Sequence, residues 1–273
     1  YIGGSISTRL YEKNLLTRND LERLNDYDTL GEVLGALNDS SYREAIQSLN
    51  RDEEYENILD SELKNSYELI ESTSGEKELL QYFREKYNFH NLKVMVREIV
   101  QSETYTHLYS DVGNIDLTYI KKMLSDEDNI EVGFLESLDI EGYEPFNKSV
   151  NPNDTYLDYA KDSLNRFRET NNPRYIDVVL DKHYYEQLLK DAKEIDLDEL
   201  TKYTKERIDL INVKTLMRIK AQEGSLDDLK DALIDGGYID LERFDDFYAV
   251  DINQIVVKLS NENINKYLSL IHI

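Results

Sequence analysis

The chain has no cysteine and no tryptophan, and only 3 prolines and 11 glycines among its 273 residues. Without cysteine there is no disulfide framework and no thiolate metal site, and the composition fits a reducing compartment. Scarce proline and glycine leave few breakers, so long helices can run uninterrupted. Positive charge is in short supply as well: 32 Lys and Arg face 56 Asp and Glu, a net charge of −24. That balance argues against a nucleic-acid surface, which needs clustered cations to neutralise phosphates. It argues equally against adhesion to an anionic membrane surface. A solvated acidic exterior, or a basic partner, is what remains. No apolar run approaches the roughly 20 residues of a membrane span, so no direct membrane insertion is expected.

Catalytic signatures are also missing. There is no Walker A sequence, no Gly-x-Gly-x-x-Gly and no Gly-x-Ser-x-Gly. The four histidines, His90, His107, His183 and His272, are scattered. The stretch from Asp126 to Ser137 fails as a calcium loop, because Ile130 and Ser137 stand where ligands belong. One enzyme-like string exists, Asp227-Asp228-Leu229-Lys230-Asp231. Its spacing puts carboxylates on one helix face, as magnesium-dependent prenyl-diphosphate chemistry needs. With so many acidic residues the bland alternative is a solvated helix face. No catalytic residue, cofactor or metal is expected.

What is present is repetition. Ile58 to Gln101 aligns without a gap on Val179 to Gln222, at a constant shift of about 121 residues. Leu59-Asp60 falls on Leu180-Asp181, Tyr82 on Tyr203 and Glu85 on Glu206. Asn91, Lys93, Arg97 and Gln101 fall on Asn212, Lys214, Arg218 and Gln222. A second signal, Gly-x-Ile-Asp-Leu, opens at Gly113 and again at Gly237. Its aspartates, Asp116 and Asp240, stand where a helix N-cap or first turn belongs. The expected units are residues 1–112, 113–236 and 237–273, the third incomplete. A first residue, Tyr1, that is not Met leads to the expectation of a fragment, and repeat arithmetic to that of a natural protein extending roughly 60 residues or more beyond Ile273.

Periodicity predicts an all-α protein. Helices are expected over Ser5 to Leu16, Asn19 to Leu24 capped by Thr17, and Leu30 to Leu37 capped by Asp28 or Thr29. A short helix opens at Ser41, and a long one covers Glu53 to Ser72 until Ser74-Gly75 breaks it. Lys77 to Lys86 and Asn88 to Glu103 are expected as two further helices. Glu141 to Pro152 reads as a loop, and Asn171-Asn172-Pro173 as a break before a long helix.

On the wheel Lys93, Arg97 and Gln101 form one polar stripe, with Leu92, Val96 and Ile99 on the apolar side. Lys214, Arg218 and Gln222 repeat it, opposite Val213, Leu216 and Met217. Asn91 and Asn212 stand near the helix start, off both stripes. Two readings compete. In one, the asparagines bond local backbone and the cations pair with nearby carboxylates. In the other, equivalent basic stripes face a shared centre or the contacts between units. Arg9 and Lys13, also one turn apart, are the related pair on the opening helix.

The second unit, through Tyr175-Ile176-Asp177, Leu180-Asp181-Lys182-His183-Tyr184-Tyr185, Glu206 to Lys214 and Arg218, resembles the C subunit of the bacterial and archaeal V/A-type ATP synthases. The eukaryotic relative of that family is the d subunit of the vacuolar proton pump. The first unit agrees through Arg9, Glu12, Leu15-Leu16-Thr17, Tyr42 and Lys86 to Lys93, and the resemblance covers essentially the whole chain. It implies three similar helical units in a pseudo-threefold, funnel-like arrangement. It implies a non-catalytic rotor subunit on the cytoplasmic side, peripheral to the membrane, between the central axle subunits and the membrane proteolipid ring. One departure stands out: the family ends with a third Asn-x-Arg or Asn-x-Lys helix, which this chain does not reach. The alternatives from the residues alone are an acidic helical-repeat adaptor outside any ATPase and a prenyl-transfer enzyme using Asp227, Asp228 and Asp231.

Overall fold

The computed structural model describes residues 9, 11–49, 51, 54–128, 151–251, 254–255 and 257–258. Every long regular element among them is an α-helix. The sequence-predicted loop from Glu141 lies outside the described residues except for its last two positions, as does Glu262 to Ile273. Compactness divides the chain into two units. One holds the described residues up to Arg84 with Ser110–Asn114, the other Glu85–Tyr109 with the described residues from Ile115 onward.

The first unit contains α1 (Arg18–Asn25), α2 (Leu30–Leu37), α3 (Arg43–Gln47) and α4 (Glu56–Ser74). Thr17 and Thr29 start α1 and α2 with reciprocal capping boxes, to Asp20 and Glu32 respectively. Gly75 ends α4 in the left-handed conformation at φ 69°, a geometry that glycine adopts without a Cβ penalty. Leu34, Ala45 and Ile58 form a small core from α2, α3 and α4. The opening helix does not reach Leu16: residues 11 and 12 are helical, but Lys13 already lies in a turn. Arg9 and Lys13 therefore do not form a helical stripe.

Helix α5 runs from Lys77 to Gln101 as one element, where two helices were expected. Nothing in Lys86-Tyr87-Asn88 breaks it, because no proline or glycine intervenes and the backbone ladder continues. From Glu85 onward it belongs to the second unit. There follow α6 (Leu117–Asp128), α7 (Asp154–Thr170), α8 (Arg174–Glu194), α9 (Asp198–Ala221), α10 (Leu226–Ala232) and α11 (Arg243–Tyr248). Asp116 caps α6 by accepting the Tyr119 N–H at 2.9 Å. Asp240 does not repeat that role, because α11 starts two residues beyond the expected place. Asn171, left-handed at φ 51°, ends α7, and Pro173 precedes α8.

Two cores organise the second unit. Phe89, Leu92, Met95 and Val96 of α5 meet Tyr119, Ile120 and Leu124 of α6, Leu157, Ala160 and Leu164 of α7, and Ile176 and Leu180 of α8. Val213, Leu216 and Ile219 of α9 meet Leu229 of α10, Phe244 and Phe247 of α11, and Ile239 and Ile255. On α5 the expected polar stripe is the more open face: Lys93 is half-buried and Arg97 and Gln101 are exposed, while Leu92 and Val96 are buried. Asn88, Phe89, Asn91, Leu92, Val94, Met95, Val96 and Glu98 are all buried. Polar residues on the enclosed part of the helix, Asn88, Asn91 and Glu98, must find partners within the fold.

Candidate functional site

Lys93 and Arg97 lie one turn apart on α5, and Asp177 and Asp181 lie one turn apart on α8. Lys93 Nζ donates to Asp181 Oδ1 at 2.5 Å, and Arg97 Nη2 to Asp177 Oδ2 at 2.5 Å. The higher-numbered cation takes the lower-numbered acid, so the two helices run antiparallel along this seam. Phe89, one turn before Lys93, touches Tyr184 with ring centroids 5.4 Å apart, which continues the same register. Lys93 is more enclosed than Arg97, whose side chain remains nearly half exposed. Exposed pairs contribute about 0.2–1 kcal/mol each, so their main effect is to fix axial register between two long helices. Lys93 and Arg97 thus join the last helix of the first sequence repeat to the long helix of the second.

Asn91 and Asn212 sit inside their helices, not near a start. Asn212 is buried and holds Ile234 from both sides: its Nδ2 donates to the Ile234 carbonyl at 2.7 Å, and its Oδ1 accepts the Ile234 N–H at 2.8 Å. One turn earlier on α9, buried Asp209 accepts the N–H groups of Tyr238 and Ile239 at 3.0 and 3.1 Å. Together they clamp the turn at Gly236-Gly237. Gly236 is left-handed at φ 97°, and a Cβ on Gly237 would fall 2.1 Å from Asp209 Oδ1. The Gly-x-Ile-Asp-Leu motif at Gly237 therefore records close backbone approach to α9. Asn91, the repeat equivalent of Asn212, is likewise buried and partnered.

Lys214 and Arg218 are exposed on α9 and make no ion pair among the described residues. Arg9 and Lys13 are exposed too. Lys13 lines a cleft of about 480 Å³ in the first unit, with Asp20, Arg23, Ser40 and Ser41 around it.

Two buried polar networks leave little or no trace in the sequence pattern. Glu98 accepts from Lys121 at 2.8 Å, from the Tyr109 hydroxyl at 2.5 Å and from the Tyr105 N–H at 2.6 Å. Burial pushes the Glu98 carboxyl up, but the bonds from Lys121, Tyr109 and Tyr105 outweigh it and hold it below the usual carboxylate range. Burial and the neighbouring Glu98 push the Tyr109 hydroxyl well up. In the second network the Tyr156 hydroxyl meets both oxygens of buried Glu85, at 2.7 and 2.8 Å. Glu85 is repeated at Glu206, a signal that could have marked it. Glu98 has Ile219 at its repeat position and left no such signal.

The acidic string at Asp227 does not assemble a site. Asp228 is engaged by the Ser225 cap, and Asp231 accepts from Tyr175 at 3.0 Å and pairs with Arg166 at 3.4 Å. Among the described residues no cluster of three or more acidic or histidine side chains could hold a metal ion.

These features define a helical scaffold in which the last helix of the first sequence repeat is joined to the long helix of the second through fixed partners. The sequence profile of the ATP synthase (C/AC39) subunit family matches residues 7–272, and the chain belongs to that family, one of non-catalytic accessory subunits. The A-type ATP synthase C subunit of Methanocaldococcus jannaschii is 27% identical over 254 residues, covering 87% of this chain and 58% of that protein. The V-type sodium ATPase C subunit of Enterococcus hirae is 22% identical over 210 residues, covering 76% of this chain and 57% of that protein. The A-type ATP synthase C subunit of Thermococcus kodakarensis is 25% identical over 242 residues, covering 86% and 61%. The chain therefore spans less than two thirds of the length of these relatives.

Proposed function

We propose that the chain is a non-catalytic central-rotor subunit of a V/A-type ATPase or ATP synthase, coupling the central axle subunits to the membrane proteolipid ring during ion transport. Family membership supports the assignment to such a complex. The observation that carries the mechanical part is the antiparallel seam in which Lys93 and Arg97 meet Asp181 and Asp177. A part that carries torque must not slip along its own helices. Two ion pairs one turn apart penalise axial sliding, because a shift of one turn leaves one cation and one carboxylate unmatched. The close-packed core beneath them, from Phe89, Leu92, Val96, Ile176 and Leu180, supplies stiffness.

In this reading residues 1–112, 113–236 and 237–273 are three units related by the sequence repeat. No described helix is long and apolar enough to cross a membrane. In this reading attachment runs through the ring, peripheral to the membrane on its cytoplasmic side. The net charge of −24 complements basic loops on a partner. Reconstituted vesicles test the role. Omitting the subunit is expected to leave ATP hydrolysis by the catalytic head intact and to abolish ATP-driven ion transport. Undiminished transport without it would contradict the proposal.

A further inference from the structure

We propose that residues 102–109 form a releasable strap over the end of α5, fastened by Glu98 and His90, whose opening frays that end and lets go of the Arg97–Asp177 rung.

The chain turns back where α5 ends. Ser102 is left-handed at φ 55°, uncommon for a residue other than glycine, and the Glu103 N–H donates to the Glu98 carbonyl at 3.3 Å. The returning segment then meets α5 in antiparallel order. The Tyr105 N–H and the Tyr109 hydroxyl donate to the Glu98 carboxylate, and His90 Nε2 donates to the Leu108 carbonyl at 2.7 Å. Lys121 of α6 completes the knot, bonded to Glu98 and 5.4 Å from the centroid of the Tyr109 ring. Burial contributes little. Tyr105 and Tyr109 are half-buried, and every other residue from 102 to 109 is exposed.

The second repeat makes the same return with a different adhesive. After α9 the chain again folds back, through Gly224 and α10 to the clamped turn at Gly236-Gly237. That segment is held by burial, with Leu229, Leu233, Ile234 and Ile239 all enclosed. At the repeat position of Glu98 stands Ile219, and at that of His90 stands Ile211. Apolar side chains at these positions are thus compatible with a held return segment, yet the first repeat carries a buried carboxylate. A buried ion network adds little net stability over apolar packing, because both charges lose water. Opening the strap exposes little apolar surface and rehydrates Glu98, so it costs far less than global unfolding. Arg97 lies one turn from the end of α5 at Gln101, so loss of the strap undoes the turn beside it.

Amide hydrogen exchange in the full-length protein at neutral pH tests this. Tyr105, Leu108 and α5 from Arg97 to Gln101 should exchange as one unit, at least about tenfold faster than Leu229 to Leu233 of the second return. H90A should speed that whole unit and leave Leu229 to Leu233 unchanged, while H90Q, which keeps a donor toward Leu108, should restore the parental rate. Y109F should act as H90A does while keeping the aromatic ring in place. D177A, a change on α8, should speed strap exchange by about two- to fivefold, since the open state has already lost the rung. A strap that exchanges as slowly as Leu229 to Leu233 overturns the proposal. So does a strap that opens while Arg97 to Gln101 stay protected. Equal rates for H90A and H90Q remove the His90 fastening, and an unchanged strap in D177A removes the link to the rung; either result overturns the proposal. Exchange is read without any partner, so the strap and the rotor role fail independently.

Discussion

Lys93 and Asp181 lie 88 residues apart in the chain and 2.5 Å apart in the structure. With Arg97 and Asp177 they form a two-rung ladder between α5 and α8. A double-mutant cycle on K93A and D181A should return a coupling of about 0.5–1 kcal/mol, since Lys93 is three-quarters enclosed but its partner is not. The R97A and D177A cycle should return less, because that pair is more exposed. Urea denaturation at low and high salt checks both, and the second coupling should fade first as salt rises.

The ladder is half legible in the sequence. Repetition singles out Lys93 and Arg97 and also places Asp60 on Asp181, but nothing in one sequence says which carboxylate a cation meets. With 56 acidic residues, partner choice is decided by packing. The enclosure of α5 is illegible for a related reason: Asn88, Asn91 and Glu98 look like a solvent face until other helices cover them. The caps at Thr17 and Thr29 and the break at Gly75 are legible, because local backbone chemistry alone determines them.

Glu98 makes stability depend on pH. Its folded carboxyl lies below the unfolded reference of 4.5, so its contribution is fully present above that value and is lost as pH falls through the lowered folded value. E98Q leaves Lys121, whose side chain is 11% exposed, without its anion. The variant should be destabilised by about 3 kcal/mol at neutral pH. It should also lose less further stability on acidification than the parent. Chemical denaturation at a series of pH values reads both effects.

The clamp on the Gly236-Gly237 turn predicts two losses. N212L removes both bonds to Ile234 and leaves a buried N–H and C=O unmatched, for a cost of about 2–3 kcal/mol. G237A drives a methyl group toward Asp209 Oδ1 and should cost about 1–3 kcal/mol. D209A should relieve part of the G237A penalty, since it removes the atom in the way. Thermal unfolding of the single and double variants provides the measurement.

Leu180 is fully buried where α5, α7 and α8 meet, next to Asp181. L180A should cost about 2–5 kcal/mol through lost burial and a residual cavity. In the assembled machine it should also loosen the Lys93–Asp181 seam. Hydrogen exchange in α5 and α8 should then accelerate together, ahead of exchange in α9.

The central claim is that this chain joins the axle of a rotary ATPase to its membrane ring. The most direct measurement is co-purification of the full-length protein with the axle subunits and, separately, with the detergent-solubilised ring. The account predicts that it elutes in fixed stoichiometry with each and bridges the two when both are present. A full-length, folded chain that binds neither would contradict it.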